Sequence, residues 1–307
     1  MNWILLLEQT LNGLQFGILL FLLAAGLTLI FGIMDLINLA HGSLYMMGAY
    51  FAATFTQWTN SFLLGALIAI PASMILGIII EVIALRTLYS RNHLDQVLAT
   101  FGLILFLNEF VRLLWGPIGL DISLPPILSG SIELFFGIRY PSYRLLIIAL
   151  GIIVAFLLYM LVSKTKIGML IRAGASNRQM VSALGINIKF LYTIVFGLGA
   201  ALAGLAGLMA GPILTVEIGM GEGILIITLV VIVIGGVGSI KGAFVASLIV
   251  GFIDTVGRSF LPDILALFFP TNVADTAAPA LSSMLIYILM AFILAVKPRG
   301  LFPPRGV

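Results

Sequence analysis

The chain has 307 residues, 62% of them hydrophobic and 9% charged, with a mean hydropathy of +1.23 and a formal net charge of +3. Soluble domains average about 45–50% apolar and about 25% charged residues, so an ordinary globular enzyme, a disordered chain and a nucleic-acid binder are excluded. The absence of cysteine excludes disulfides, thiolate metal sites and thiol nucleophiles.

Apolar runs of about 20 residues, the length that crosses a hydrocarbon core of roughly 30 Å, alternate with short charged breaks. They predict an all-α, polytopic transmembrane helical bundle over 1–307, a single domain. About nine spans (eight to ten) are expected, at 12–34, 36–56, 62–85, 94–116, 143–163, 190–212, 223–237, 242–258 and 281–297. The N-terminus has no basic region, and Glu8 and Asn12 interrupt its apolar run, so a cleaved signal peptide is not expected. The runs lack barrel-like alternation, so the spans close their backbone bonds internally as helices.

Orientation follows from Lys and Arg. The segment 164–189 carries Lys164, Lys166, Arg172, Arg178 and Lys189 and no acid, the tail carries Lys297, Arg299 and Arg305, and Arg86 and Arg91 follow the third span. Placing these stretches inside, with the breaks at Asp35 and Lys241, puts 11 of 15 basic residues on the cytoplasmic side. The N-terminus is then outside and the C-terminus cytoplasmic. Two long outside loops, 117–142 and 259–280, contain prolines that favour turns or extended chain; they serve as a docking surface or as plain connectors.

Between 30 and 50, Asp35, Asn38 and His41 fall at i, i+3 and i+6, near one helix face, followed by Gly42 and Ser43. Polar groups at membrane depth are costly and often line a pathway. The plainer alternative is a satisfied interhelical hydrogen-bond network. Glu81 lies near an inner end, and Glu109/Arg112 and Asp254/Arg258 are spaced as structural ion pairs.

Within 164–189, Ser176 to Gln179 fits a capping box, Met180, Val181 and Leu184 follow at helical spacing, and Gly185 supplies a stop. This predicts a short cytoplasmic helix over roughly 177–184 with an apolar face that lies on the lipid surface or inserts into a partner's groove. Ala200, Gly204, Gly207 and Gly211 form a small-residue face expected to pack inside the bundle.

The glycine-rich stretch 235–242 lacks the Gly-Lys-Ser/Thr ending of a phosphate loop. It cuts an apolar run into two short pieces, so Gly235, Gly236 and Gly238 mark either part of a transporter's central path or a simple cytoplasmic hairpin. Its layout faintly parallels 35–43. No His-Glu-x-x-His or Gly-x-Ser-x-Gly pattern occurs, and His41 and His93 stand apart. No metal site and no catalytic residue is expected.

Gly26-Leu27-Thr28-Leu29-Ile30-Phe31-Gly32, Ile37-Asn38-Leu39-Ala40-His41-Gly42 and Tyr45-Met46-Met47-Gly48-Ala49-Tyr50 resemble the membrane permease of branched-chain amino acid importers of the ATP-binding-cassette type, the LivH type. Gly168 to Asn187, with Ala183-Leu184-Gly185-Ile186-Asn187, and Gly235 to Ile240 with Gly242-Ala243 share the resemblance, which spans nearly the whole chain. It implies a non-catalytic permease of the cytoplasmic membrane whose path includes Asn38, His41, Gly42, Ser43, Gly235, Gly236 and Gly238. It also implies that 164–189 is the loop that docks on the ATPase through Gly174, Ala175, Ser176, Asn177, Met180, Val181, Leu184 and Gly185. The implied partners are cytoplasmic ATPase subunits that use the ATP, a second permease subunit (identical or homologous), an extracytoplasmic solute-binding protein and membrane lipid. This chain itself would bind no cofactor and no nucleic acid. Ser43 stands where the family commonly has Glu, and the loop lacks the family's usual acids. Relatives also carry urea, short amides or aromatic acids. The rival reading is a stand-alone ion-coupled transporter or channel, which needs an isolated mid-membrane carboxylate; a membrane-embedded enzyme is more distant.

Overall fold

The computed structural model describes residues 3–134 and 137–303; Arg305 of the basic tail lies outside them. Each expected span has a helix: α1 (Trp3–Met34), α2 (His41–Thr59), α3 (Phe62–Ile83), α4 (His93–Trp115), α6 (Ser142–Lys164), α9 (Ile188–Ala210), α10 (Met220–Gly235), α11 (Ile240–Ala266) and α12 (Thr271–Val296). Short elements join them: a 3₁₀ turn at Leu85–Leu88, α5 (Pro126–Ser129), an antiparallel pair β1 (Ser131–Glu133) and β2 (Arg139–Pro141), α7 (Lys166–Ser176) and α8 (Arg178–Ala183). By length and composition, 7 helices among the described residues can cross a membrane; α2 and α10 are not among them. The protein is therefore an all-α, multi-pass membrane protein.

Helix ends depart from the expected bounds where single residues were read as breaks. Glu8 and Asn12 lie inside α1, which starts at Trp3. Asn12 is not left bare: its Oδ1 accepts from Tyr140 Oη at 3.1 Å and from Arg144. The expected loop 259–280 is mostly helix, because α11 runs through Pro262 and α12 through Pro279. Proline is tolerated in membrane helices where neighbouring groups satisfy the freed backbone.

The centre of the bundle is α1, whose residues from Gly17 to Ile30 are all buried. A helix that is apolar all round finds its place inside the protein. Glycines set how closely its neighbours approach. Gly26 and Gly199 face each other across α1 and α9, and a Cβ added to either would lie 2.7 or 3.0 Å from the other's carbonyl oxygen. The small-residue face of α9 packs internally: Gly204 against Ser73 and Gly48, Gly207 against Tyr45, Gly211 against Ile122.

Two runs share one element order, α1–α2–α3–α4 and α9–α10–α11–α12. In each, a non-helical segment (35–40 and 211–219) precedes a shorter helix of 19 or 16 residues. The short helices meet at their N-termini, Gly42 against Gly221, each with its Cα facing the other's carbonyl. Repeats with short, interrupted helices are a feature of transporter folds. In element order the 35–40 break corresponds to 211–219 rather than to 235–242. That stretch is a tight α10–α11 hairpin. Gly236 and Gly238 take φ of 103° and 83°, a region open to glycine, and Ser239 Oγ caps α11 by accepting from Gly242 N at 3.1 Å. The C-terminal segment seals the hairpin through Leu301 N to the Ile234 carbonyl (2.8 Å) and Phe302 N to the Gly235 carbonyl (3.0 Å).

Candidate functional site

The first polar site forms where α1 stops. Asp35 takes φ 51° and its N–H closes on the Phe31 carbonyl at 3.0 Å, ending the helix. Asp and Asn enter this left-handed region more readily than other side chains. The helix face expected through Asp35, Asn38 and His41 is therefore broken. Asp35 is exposed, whereas Asn38 and His41 turn inward and are buried. His41 begins α2 beside Gly26, with its Nε2 2.9 Å from where a Gly26 Cβ would stand. Gly26 lies eight residues before the end of α1, or about 12 Å along the helix axis. So α2 starts inside the bundle rather than at its end.

Neither amide atom of Asn38 has a hydrogen-bond partner among the described residues, while His41 faces the backbone carbonyl of Leu23 in α1. Each unpaired buried polar group costs about 1–3 kcal/mol. Asn38 finds no satisfied interhelical network, the plainer expectation for this face, among the described residues, while His41 keeps a contact to the α1 backbone. Gly42 and Ser43 continue the buried first turn of α2, and Gly42 meets Gly221 of α10. Gly219 N, at the start of α10, lies 3.4 Å from Met46 Sδ, and Asn108 Nδ2 donates to Glu222 at 2.7 Å. Neither α2 nor α10 has a side-chain N-cap, and the two helix N-termini converge with Glu222 in the first turn of α10.

The other expected path residues, Gly235, Gly236 and Gly238, sit in the α10–α11 hairpin. Gly32 of α1 approaches it, a Gly32 Cβ falling 3.2 Å from Gly238 Cα. The two groups thus occupy two levels of α1, near Gly26 and near Gly32, and the structure does not bring them together.

The segment 164–189 is two helices where one was expected. Thr165 Oγ1 caps α7 by accepting from Gly168 N at 3.0 Å. Ser176 is the last residue of α7, so it does not cap α8; Asn177 does, its Oδ1 accepting from Met180 N at 2.9 Å. Gly185, at φ 84°, ends α8 as expected. The inner face of α7 rests on the bundle: a Cβ on Gly174 would be 3.4 Å from Leu191 of α9 and 3.5 Å from Ile33 of α1. The apolar stripe of α8 divides. Val181 is 4% exposed and anchors the helix, whereas Met180 and Leu184 are 60% and 74% exposed. Among the residues expected to couple, Ala175, Ser176, Asn177 and Gly185 are exposed as well.

A third cluster drew little notice in the sequence. Glu81 of α3 is fully buried and accepts from Arg86 at 3.1 and 3.3 Å and from Tyr89 Oη at 2.6 Å, with Thr193 Oγ1 of α9 at 2.8 Å. Burial, then the hydrogen bond to Glu81, pushes the Tyr89 phenol well up from its ordinary value. The Tyr89 ring meets Tyr192 edge-on at 5.2 Å between centroids. Thr193 is 112 residues from Glu81, so spacing could not reveal the cluster. The expected pairs Arg112–Glu109 and Arg258–Asp254 are both formed, at 2.9 Å. Among the described residues no group of three or more His, Asp or Glu could hold a metal ion.

A family model described as the permease component of branched-chain amino acid transport systems matches residues 9–294. The chain is 32% identical over 275 residues to the high-affinity branched-chain amino acid transport system permease protein BraD of Pseudomonas aeruginosa, covering 84% of this chain and 88% of that one. It is 29% identical to LivH of Escherichia coli, over 96% of this chain and 94% of that one. It is 27% identical to a probable LivH of Methanocaldococcus jannaschii, over 92% and 88%. No solved structure matches the chain. Glu81 and Asp254 are both paired, which leaves the ion-coupled alternative without the free buried carboxylate it needs among the described residues. The match over nearly the whole chain, on a multi-pass helical bundle, makes this protein a member of the family of branched-chain amino acid transport permeases.

Proposed function

We propose that this chain is the membrane-spanning permease of an ATP-driven importer. It would pass branched-chain amino acids, or related small carboxylate solutes, across the cytoplasmic membrane into the cell. The observation that carries the reading is the family match over 9–294; relatives named as branched-chain amino acid permeases support the solute class. The partners are two cytoplasmic ATPase subunits, which bind and hydrolyse the ATP, a second permease subunit and an extracytoplasmic solute-binding protein. The chain crosses nine times, with the N-terminus outside and the C-terminus in the cytoplasm, in keeping with the Lys/Arg excess of 164–189.

In this reading α8 seats in the ATPase groove. Closure of the ATPases pulls α7, whose inner face bears on Ile33 of α1 and Leu191 of α9. Both helices cross at Gly26 and Gly199, beside His41. A displacement of α7 thereby reaches the convergent starts of α2 and α10. Asn38 and His41 border the path there, and the positive ends of the two helices suit a solute's carboxylate. Gly42 and Ser43 line the same turn, and Gly235, Gly236 and Gly238 form the inner rim.

The decisive experiment is purification of the tagged chain from its own membranes. An ATPase subunit should accompany it, and uptake into vesicles should require ATP; uptake in vesicles that hold no ATPase would overturn the proposal. Topology is tested by cysteine labelling, which is clean because the chain has no native thiol. A reagent confined to the outside should label a cysteine at Ser131 and not one at Ser176, both exposed positions. The reverse pattern would invert the orientation. His41→Leu, close in volume, should assemble normally but impair uptake; wild-type uptake would return that buried face to a structural role.

A further inference from the structure

A cavity of about 700 Å³ opens between α1, α6, α7 and the start of α11. Its size is that of sites that hold drug-sized ligands. Phe21, Leu29, Ile33 and Phe244 give it apolar walls. Arg172 of α7 and Lys241 of α11 stand in its lining, exposed, and Lys241 Nζ lies 5.6 Å from the centre of the Tyr159 ring of α6. No carboxylate lines it among the described residues, and neither cation has an ion pair there. Thr28, in the same wall, is 1% exposed and its Oγ1 has no partner, although Thr10, Thr54, Ser73, Thr100 and Thr228 each donate to the carbonyl four residues back.

We propose that this cavity is a binding site for an anionic phospholipid, its headgroup between Arg172 and Lys241 and an acyl chain along Phe21, Leu29, Ile33 and Phe244. The charge pattern selects the ligand. An amino acid in transit carries an ammonium, which would meet two cations and no carboxylate here. An anion with an apolar tail matches both the mouth and the walls. The place matches too: α6 ends at Lys164 and α7 starts at Lys166, where the chain leaves the apolar span. Basic pockets between helices on the cytoplasmic side bind anionic headgroups. Assignment to the cytoplasmic leaflet rests on the proposed orientation; the site itself does not. Because α7 forms one wall and abuts α8, a bound lipid would brace the coupling segment.

The test is retention of phospholipid by the full-length chain, read by native mass spectrometry after transfer from vesicles of phosphatidylcholine and phosphatidylglycerol into detergent. One phosphatidylglycerol should stay bound and phosphatidylcholine should not. The double variant Arg172→Gln/Lys241→Gln should bind it roughly 30-fold more weakly. Ile33→Trp, which fills the cavity and keeps the charges, should also lose it. The control Arg178→Gln/Lys189→Gln removes the same charge elsewhere and should keep it. Equal retention in the Arg172/Lys241 variant overturns the site. Displacement by inorganic phosphate alone would make it a free-anion site and overturn the lipid assignment, as would loss of retention in favour of a second permease chain over the same residues. The measurement needs neither ATP nor solute, so failure of the importer reading would leave this result distinguishable.

Discussion

Leu184→Asp is expected to insert and fold like the wild type, to lose its ATPase subunits on purification, and to transport nothing. Leu184 is 74% exposed in the chain alone, so a carboxylate there stays hydrated and shifts folding stability by no more than about 0.5 kcal/mol. In a docked complex the same carboxylate would be stripped of water without a partner, at a cost of several kcal/mol. Val181 supplies the contrast. At 4% exposure it holds α8 to the bundle, so Val181→Asp should disturb the segment even without a partner. The cap gives a milder step: Asn177→Ala should weaken α8 by about 1 kcal/mol, whereas Ser176→Ala should not, because Asn177 makes the cap bond. Co-purification and uptake of the four variants, with melting curves of the chain alone, separate these outcomes. If Leu184→Asp keeps both its ATPase and its uptake, α8 lies on the lipid surface and the coupling model fails.

That contrast between Leu184 and Val181 marks where sequence pattern stops being informative. Long apolar runs name the helices, because burial in lipid demands them whatever their neighbours. The glycine face of α9 and the two intrahelical ion pairs are legible for a similar reason, being properties of a single helix. The break at 35–40 is not. Between Gly32 and Gly42 the chain has neither Gly nor Pro, and a helix continued through Asp35 reads as well as the left-handed turn it adopts. What favours the break is tertiary: α2 has to start beside Gly26, where His41 fits a gap only glycine leaves. Ser176 was a reasonable cap by motif, but α7 reaches one residue further than a basic loop suggests, and Asn177 inherits the role. The prolines at 262 and 279 misled in the opposite direction, since breakers in water are tolerated in a membrane helix with neighbours. The candidate path residues were each identifiable as costly polar groups or as glycines, yet their separation along α1 depends on which helices cross at Gly26 and Gly32.

The Glu81 cluster carries the other large expected effect, and it tests whether the second turn of α9 is held to α3 by this buried polar cluster. Arg86→Met should lower the melting temperature of the chain, because it strands the fully buried Glu81 carboxylate, although the Arg86 side chain itself is 33% exposed. The loss is that of a carboxylate left fully buried with only the Tyr89 and Thr193 hydroxyls against it. The double variant Glu81→Leu/Arg86→Met removes the stranded charge and should recover much of the stability, since an apolar pair can replace a buried ion pair at little cost. The comparison is made by thermal melting of the purified chain in detergent, with the two single variants and the double forming a cycle. Thr193 sits five residues past Ile188, where α9 leaves the 164–189 segment, so the cluster joins α3 to the point at which a pull on α7 and α8 enters the bundle. A loosened anchor should therefore also weaken transport per ATP hydrolysed in the double variant, even where melting is restored. If Arg86→Met melts like the wild type, the ion pair does not hold α9 to α3, and the force from the coupling helices has to enter the bundle through Gly174, Ile33 and Leu191 alone.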